Sequence, residues 1–484
     1  MLYTVREFCS YVQDDLNGLI DEVAGITRYV SDEEKKAYAG SYPIVASMLA
    51  QAMKRQPAIG DAHISTTELL LEYKLPAASA WCDLVLLGAN AENRKEVIIV
   101  ELKNYQKNQD DAPGSYEGLM MHKGSVIKHP ADQVKGYTEY CRRFHSVVLD
   151  EGAEVNGCVY FTQPIDLQPY RLAPNDRLIS EYPMYNTESS DHLAEYVTAK
   201  ICKGDEAFAA NFVNGFYKQD RNILRQVAEN LSVNSATARP FVLLDEQRLG
   251  FNLVMQTLEQ RVKDGKKEVI VVQGPPGSGK SAVAIKSVMK YSREKDCGNI
   301  VFVTTSGSQN DNWSEIFNYY GYKYHASDLI LKANDFNPGM SGGKMKNELL
   351  PLMEQIDPKY VSDDNENSLK YEYFEDYLDY MIEHDMIRNY KDNLHFLSVV
   401  DEAHALINPV AEGFSSNKTA GWCFQMGPQV YHIIRESQVS VFFTDGKQSF
   451  RDNESTRIED IEKWAKKLGA EFTLISLEDM QFRC

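Results

Sequence analysis

The sequence predicts an α/β protein of two modules in tandem. Three observations carry this reading: a meander of short apolar strands between Leu69 and Leu102, a second set of apolar strands alternating with helical periodicity from Val269 onward, and the small polar stretch Ser232–Pro240 between them. At 484 residues, 43% hydrophobic and 25% charged, the chain is long enough for two or three domains, each with its own core. With 51 basic and 70 acidic residues the net charge is −19, so a nucleic acid would have to meet a local basic channel and not a globally positive surface.

Residues 1–60 place apolar side chains at helical spacing, as in Ile44, Met48, Leu49 and Met53, before turn residues near Pro57 and Gly60. Strands are then expected over Leu69–Leu75, Trp81–Leu87 and Val97–Leu102. The last two carry Asp83 and the triplet Glu101-Leu102-Lys103. Alternation along a strand puts Glu101 and Lys103 on one face, and an adjacent strand can bring Asp83 beside them. Two carboxylates can hold a hard divalent cation, and the lysine can orient a water and stabilise charge on a phosphoryl group. The same triplet is also compatible with an ordinary exposed strand edge. A helix follows in DQVKGYTEYCRRFH, with Gln133 and Tyr137 a turn apart on one face.

Asp83, Glu101-x-Lys103 and Gln133-x-x-x-Tyr137, in that order, resemble the PD-(D/E)XK nuclease superfamily over about residues 60–165. The resemblance implies an α/β nuclease fold over residues 1–165, with Asp83, Glu101, Lys103, Gln133 and Tyr137 catalytic and Mg²⁺ held by Asp83 and Glu101. The helix YPIVASMLAQAMK departs from the pattern, since it has no acidic residue where many members carry a further metal ligand. Glu22 and Glu72 are the candidates to stand in. This leaves two readings open, an active nuclease and a nuclease fold that only grips nucleic acid or a partner protein.

Residues 154–162 read as a further core strand. Helical periodicity returns from Asp191, with Leu193, Tyr196 and Val197 on one face and Phe208, Phe212 and Phe216 on another. Residues 166–235 are thus expected to form a helical connector and linker, and residues 236–484 the second module.

That second module is organised around EVIVVQGPPGSGKS. A buried strand runs into a glycine-rich turn, where Gly274, Gly277 and Gly279 allow backbone N–H groups to face phosphate oxygens. Lys280 then reaches the outer phosphates, and Ser281 can ligate Mg²⁺. The chain is therefore expected to bind a nucleoside triphosphate. Asn299–Thr305 reads as a second parallel strand, and the acidic, tyrosine-rich region that follows as an exposed helical insertion. The glycines of NPGMSGGK lack a preceding strand, so Lys344 reads as solvated surface. HFLSVVDEAHAL delivers Asp401 to hold Mg²⁺ and Glu402 to activate the water that attacks the γ-phosphate. A further strand, Val439–Phe443, ends in TDGKQ, with Asp445 and Gln448 at its tip.

Gln247 ahead of the phosphate loop resembles the adenine-reading glutamine of helicases. Gln448 resembles the γ-phosphate sensor of superfamily 1 helicases, and QFRC resembles the start of their next motif, with Arg483 completing the phosphate site. Taken together, Gln247, GPPGSGKS, DEAH, FFTDGKQ and QFRC resemble the helicase domain of the Schlafen-like family over about residues 236–484. The resemblance implies a RecA-like P-loop NTPase lobe with a parallel sheet, ATP and Mg²⁺ as cofactors, and nucleic acid, DNA or RNA, as partner. A protein partner also stays open. Likeness to bacterial nuclease-helicase fusions implies defence against foreign DNA.

Eight cysteines without a C-x-x-C pair and a polar N-terminus point to a cytoplasmic protein with reduced thiols. No apolar run approaches the roughly 20 residues of a membrane helix. Since few residues follow Gln448, one complete motor lobe and only the beginning of a second are expected.

Overall fold

The run Val97–Val100 is apolar without a break because the strand it forms is covered on both faces. In the computed structural model Ile98 and Val100 pack into one buried cluster, with Val45, Leu49 and Val197, whereas Val97 and Ile99 pack into another, with Tyr137, Tyr140 and Phe212. The structure describes residues 1–26, 30–56, 63–78, 80–106, 110–218, 242–275, 278–291, 299–319, 329–339, 341–363, 366, 368–387, 390–409, 422–445 and 456–477. They fall into two compact units, one from 1–218 with 242–252 and the other from 253–477.

The first unit is a six-stranded sheet in the order β1-β2-β3-β4-β8-β9. Its strands are β1 (Leu2–Thr4), β2 (Glu68–Lys74), β3 (Trp81–Ala89), β4 (Lys95–Lys103), β8 (Glu154–Phe161) and β9 (Met184–Tyr185). The first four pair antiparallel, while β4, β8 and β9 run parallel. A hairpin sheet of β5 (Ala112–Pro113), β6 (Leu119–His122) and β7 (Ser125–Lys128) is inserted after β4. The helices Val5–Asp14, Leu16–Ile26, Asp32–Arg55 and Ser190–Lys200 supply one apolar layer, and Pro130–Phe144 and Glu206–Val213 the other.

Two sequence expectations are revised here. Residues 190–213 are part of the first unit's core and not a connector, because Leu193, Val197, Phe208 and Phe212 are fully buried against its sheet. Phe216 does not join them: it lies past the end of the Glu206–Val213 helix and is 62% exposed. The stretch 232–240, expected as a linker, lies outside the described residues.

The second unit is a parallel sheet in the order β12-β11-β13-β14-β10-β15. Its strands are β10 (Glu268–Gln273), β11 (Ile300–Thr304), β12 (Ile330–Lys332), β13 (His395–Val400), β14 (Ser437–Thr444) and β15 (Glu471–Ser476). Central strands β10, β13 and β14 are buried almost throughout, as sheets with helices on both faces require. The acidic segment is not an exposed insertion: Phe374, Tyr377, Leu378 and Met381 of the helix Phe374–Glu383 enter the unit's main core, while Asp376, Asp379 and Glu383 face out with Ile382. The described part of the tail adds the helix Ile458–Lys467 and strand β15 to this same sheet, where a second lobe had been expected to begin.

No helix of the described residues is long and apolar enough to cross a membrane.

Gly157 on β8 shows how closely the Pro130–Phe144 helix sits on the sheet. A Cβ there would stand 2.3 Å from Val134 Cγ1 and 2.8 Å from Thr138 Cγ2, whereas at Gly25 it would meet nothing within 4 Å. Gly157→Ala should therefore cost about 1–3 kcal/mol through overpacking. Gly25→Ala should stay within about 0.5 kcal/mol of the parent. Urea denaturation midpoints of the two variants check the contrast.

Candidate functional site

In the first unit the polar residues gather where β3 begins and β4 ends. Antiparallel pairing of Leu84 with Val100 carries Asp83 opposite Glu101, and the Asp83 Oδ2 accepts the Leu102 N–H at 2.7 Å. Glu101 is 2% exposed, and its Oε1 accepts from Lys103 Nζ at 2.7 Å. Lys103 Nζ also donates to Gln133 Oε1 at 3.3 Å, and Gln133 Nε2 donates to Tyr137 OH at 2.8 Å. The structure thus brings together Glu101, Lys103, Gln133 and Tyr137, with Asp83 beside them.

Sequence reasoning missed the backbone of Glu72. It stands between the pairs Leu71↔Leu84 and Tyr73↔Cys82, hence opposite Asp83, with a left-handed φ of 47°. Leu71 and Tyr73, two apart on a strand, therefore enter different apolar clusters. A non-glycine residue held there costs about 1–3 kcal/mol, and such strain gathers at functional sites. Glu72 acts electrostatically on Asp83, Tyr38 and Tyr42. Glu22 acts on Tyr3 and Tyr11.

Burial first, and then the neighbouring charges of Glu101 and Glu72, push the Asp83 carboxyl well above the usual carboxylate range, against the pull of Lys103. Burial opposes the Lys103 charge, but Glu101, Tyr105 and Asp83 outweigh it and raise its pKa. The Glu101 Oε2 is buried with no hydrogen-bond partner among the described residues. A buried carboxyl oxygen left so calls for a cation or water. Among the described residues no three His, Cys, Asp or Glu side chains form a metal-holding group. A pair of carboxylates suits Mg²⁺, which commonly takes one or two and completes its shell with water and substrate phosphate oxygens.

In the second unit the phosphate loop follows β10, with Gly279 at φ 81°. A Cβ on Gly274 would lie 2.8 Å from Ser278 Oγ and 3.2 Å from Leu477 Cβ, so the backbone runs close to its neighbours there. Lys280 is 7% exposed, and its Nζ donates to the carbonyls of Gly274 at 2.7 Å and Pro275 at 3.0 Å. Strand β13 delivers Asp401, whose Oδ1 accepts from Ser281 Oγ at 3.2 Å. A hydroxyl and a carboxylate so placed could hold a Mg²⁺ ion. Burial raises the Asp401 carboxyl to about 6, with Glu402 adding to the rise and Ser281 opposing it.

Glu402 has a left-handed φ of 53°, which turns the chain sharply after the strand. Its carboxylate remains open to solvent and lies 3.5 Å from His404 Nδ1, whose own pKa burial depresses. His404 is a further buried polar group of this site, foreshadowed only by its place in DEAH. Asp445 is buried at the end of β14. Lys344 is exposed on a short helical turn, as a solvated residue. Gly277, Gln448 and Arg483 lie outside the described residues. Gln247 is counted with the first unit, in the first turn of the helix Asp245–Asp264, where its Oε1 accepts the Leu244 N–H at 3.4 Å.

With this geometry in place, the comparison with known families is specific. Residues 267–484 match the model of the Schlafen group 3, DNA/RNA helicase domain. These residues are therefore similar to a Schlafen-type helicase domain, a likeness that suggests a nucleic-acid-related ATPase function. No curated protein and no solved structure matches the chain.

The raised pKa of Asp83 has a consequence for stability. Below about pH 3.9 the carboxyl is protonated folded and unfolded and contributes nothing. As pH rises, the unfolded state releases its proton first, so stability falls progressively until the folded carboxyl also ionises. In EDTA, Asp83→Asn should therefore denature at higher urea than the parent, by a margin that grows from pH 5 to 8. Added Mg²⁺ should raise the parent's midpoint more than the variant's.

Proposed function

We propose that the chain is an ATP-dependent nucleic-acid enzyme that combines a metal-dependent nuclease with a superfamily 1 helicase-type ATPase. The ATPase half rests on Lys280, Ser281 and Asp401 converging at the ends of β10 and β13 in the Schlafen-helicase-like unit. The nuclease half rests chiefly on one observation, the buried and unpartnered Glu101 Oε2 beside Asp83 and Lys103. A PD-(D/E)XK-type fold is further supported by the succession of the Asp32–Arg55 helix, three antiparallel strands, the Pro130–Phe144 helix and the parallel strand β8. A RecA-like fold is supported by a parallel sheet in which β14 separates the phosphate-loop strand from the acidic strand.

In the ATPase, Lys280 pairs with the outer phosphates, and Glu402, open to solvent, takes the proton from the attacking water. In the nuclease, Lys103 orients the water and stabilises the negative charge that builds on the phosphoryl group. Ser281 and Asp401 would hold one divalent cation, and Asp83 and Glu101 another. Such a cation, when bound, neutralises phosphate charge and makes bound water more acidic. Gln448 and Arg483 are proposed as phosphate contacts and Gln247 as an adenine contact, all three from their order in the sequence. The substrate we favour is foreign DNA, from the likeness to bacterial nuclease-helicase fusions.

Lys280→Ala should lower ATP affinity, and Glu402→Gln should bind ATP while losing about 10²–10⁴-fold in turnover. Equilibrium binding of a fluorescent ATP analogue and phosphate release measure the two. Normal hydrolysis by Glu402→Gln removes its role as base.

Asp83→Ala and Lys103→Ala should abolish Mg²⁺-dependent cleavage of plasmid and single-stranded DNA or RNA and leave ATP binding intact. Nucleic-acid binding without cleavage in the parent protein would instead establish the second reading, an ATP-driven binding switch whose nuclease fold is inactive.

A further inference from the structure

Lys103 is held by more than its neighbours on the sheet. Its Nζ donates to Gln133 Oε1, Gln133 Nε2 donates to Tyr137 OH, and Tyr137 OH donates to Asp245 Oδ1 at 3.0 Å. The same Asp245 oxygen accepts from Lys128 Nζ at 2.7 Å. Both charged side chains are largely enclosed, Asp245 at 17% and Lys128 at 13% exposure. All these groups belong to the first unit, although Asp245 lies beyond the small polar stretch.

The direction of this relay matters. A glutamine amide has an acceptor end and a donor end, and only one orientation presents its oxygen to an ammonium group. A tyrosine hydroxyl can either accept from the amide or donate to it. With a carboxylate taking its hydrogen, Tyr137 turns its lone pair to Gln133, and Gln133 must then show its oxygen to Lys103. Without that carboxylate, the Tyr137 hydrogen is free to point at Gln133. The flipped amide would set an NH₂ group against the lysine ammonium.

Two further features show that Asp245 is built into place. Its φ of 37° is left-handed, a conformation that a non-glycine residue keeps only where its surroundings enforce it. One turn on, Arg248 forms a bidentate, buried pair with Asp132 of the Pro130–Phe144 helix, at 2.5 and 2.6 Å. Asn252 Nδ2 donates to the same carboxylate at 3.1 Å. The start of the Asp245–Asp264 helix is thereby pinned to the helix that carries Gln133 and Tyr137.

We propose that Asp245 is a positioning residue of the nuclease site, fixing Lys103 through Tyr137 and Gln133; this rests on the nuclease reading above. Removing it should act on the chemical step and hardly on substrate binding, because it lies three hydrogen bonds from Lys103.

The test compares the parent protein with Asp245→Ala, Asp245→Asn, Tyr137→Phe and Lys103→Ala. Cleavage of single-stranded DNA in Mg²⁺ gives kcat and KM, and the rate of acetic anhydride labelling at Lys103, read by mass spectrometry, reports its environment without any catalysis. Asp245→Ala and Tyr137→Phe should each lose about 10–100-fold in kcat with KM within about threefold, as removal of groups that orient a ligand or base does. Lys103 should label several-fold faster in both, while exposed Lys74 labels at the parent rate. Asp245→Asn keeps an acceptor for the tyrosine and should recover most of the activity. Parent-like kcat and Lys103 labelling in Asp245→Ala would overturn the proposal, and so would equal losses in kcat and stability that Asp245→Asn fails to rescue. If Asp245→Ala does not fold, Tyr137→Phe and Asp245→Asn decide in its place. If the parent cleaves nothing, the nuclease reading fails, and faster labelling in the variants still supports the positioning role while unchanged labelling ends it.

Discussion

A carboxylate at 2% exposure has given up its water, which costs several kcal/mol unless charge and hydrogen bonds replace it. Glu101 is in that position at the end of β4, and much of the first unit can be read as the response. Lys103 supplies the opposite charge at 2.7 Å, but its own burial then requires acceptors for an ammonium group. Glu101 on the sheet is one, and the other comes from the Pro130–Phe144 helix, close enough for Gln133 to reach, with Gly157 on β8 leaving it the room. The packing of helix on sheet and the charge state of the site are one problem with one solution.

The second unit meets the same problem differently. Asp401 also follows a strand buried throughout, yet its nearest partners are the Ser281 hydroxyl and the Glu402 N–H, both neutral dipoles. Lys280 is directed at loop carbonyls. Burial and the charge of Glu402 raise the Asp401 carboxyl, and the hydroxyl and N–H beside it only partly oppose the rise, whereas Glu101 faces an ammonium group at 2.7 Å. In the first unit Glu101 is paired with Lys103 except at one oxygen, while Asp83 beside it bears the repulsion of Glu101 and Glu72. In the second unit the residues around Asp401 leave its charge less compensated, which suits the ATP and Mg²⁺ proposed for this site.

The parts of this arrangement that were legible in sequence are those that burial imposes on neighbouring residues. Strands β3, β4, β10, β13 and β14 read as apolar runs because both faces are covered, and E-x-K reads as one face because side chains alternate. Glu72 breaks that alternation with a backbone torsion, which leaves no mark on residue types. The Phe374–Glu383 helix was misread because its acids dominate the composition. Its apolar residues at positions 374, 377, 378 and 381 do follow the spacing of a buried face. Strand β15 pairs in parallel with β10 across a long separation in sequence, and nothing local announces such a partner.

Asp245 illustrates the deeper limit. In LLDEQRLG it reads as an acid in the first turn of a helix, where the helix dipole alone would favour it. A polar, small-residue stretch marks where a chain leaves one core, but not which core claims the segment that follows. Here the claim is made by Arg248, whose burial beside Asp132 leaves it 7% exposed. A guanidinium that deeply buried cannot be separated from its carboxylate without stranding both charges, at about 3–5 kcal/mol for loss of either partner. That cost exceeds what small-residue composition or helix propensity can weigh. Together with the hydrogen bonds that Tyr137 and Lys128 give Asp245 and that Asn252 gives Asp132, this ion pair holds residues 242–252 in the first unit.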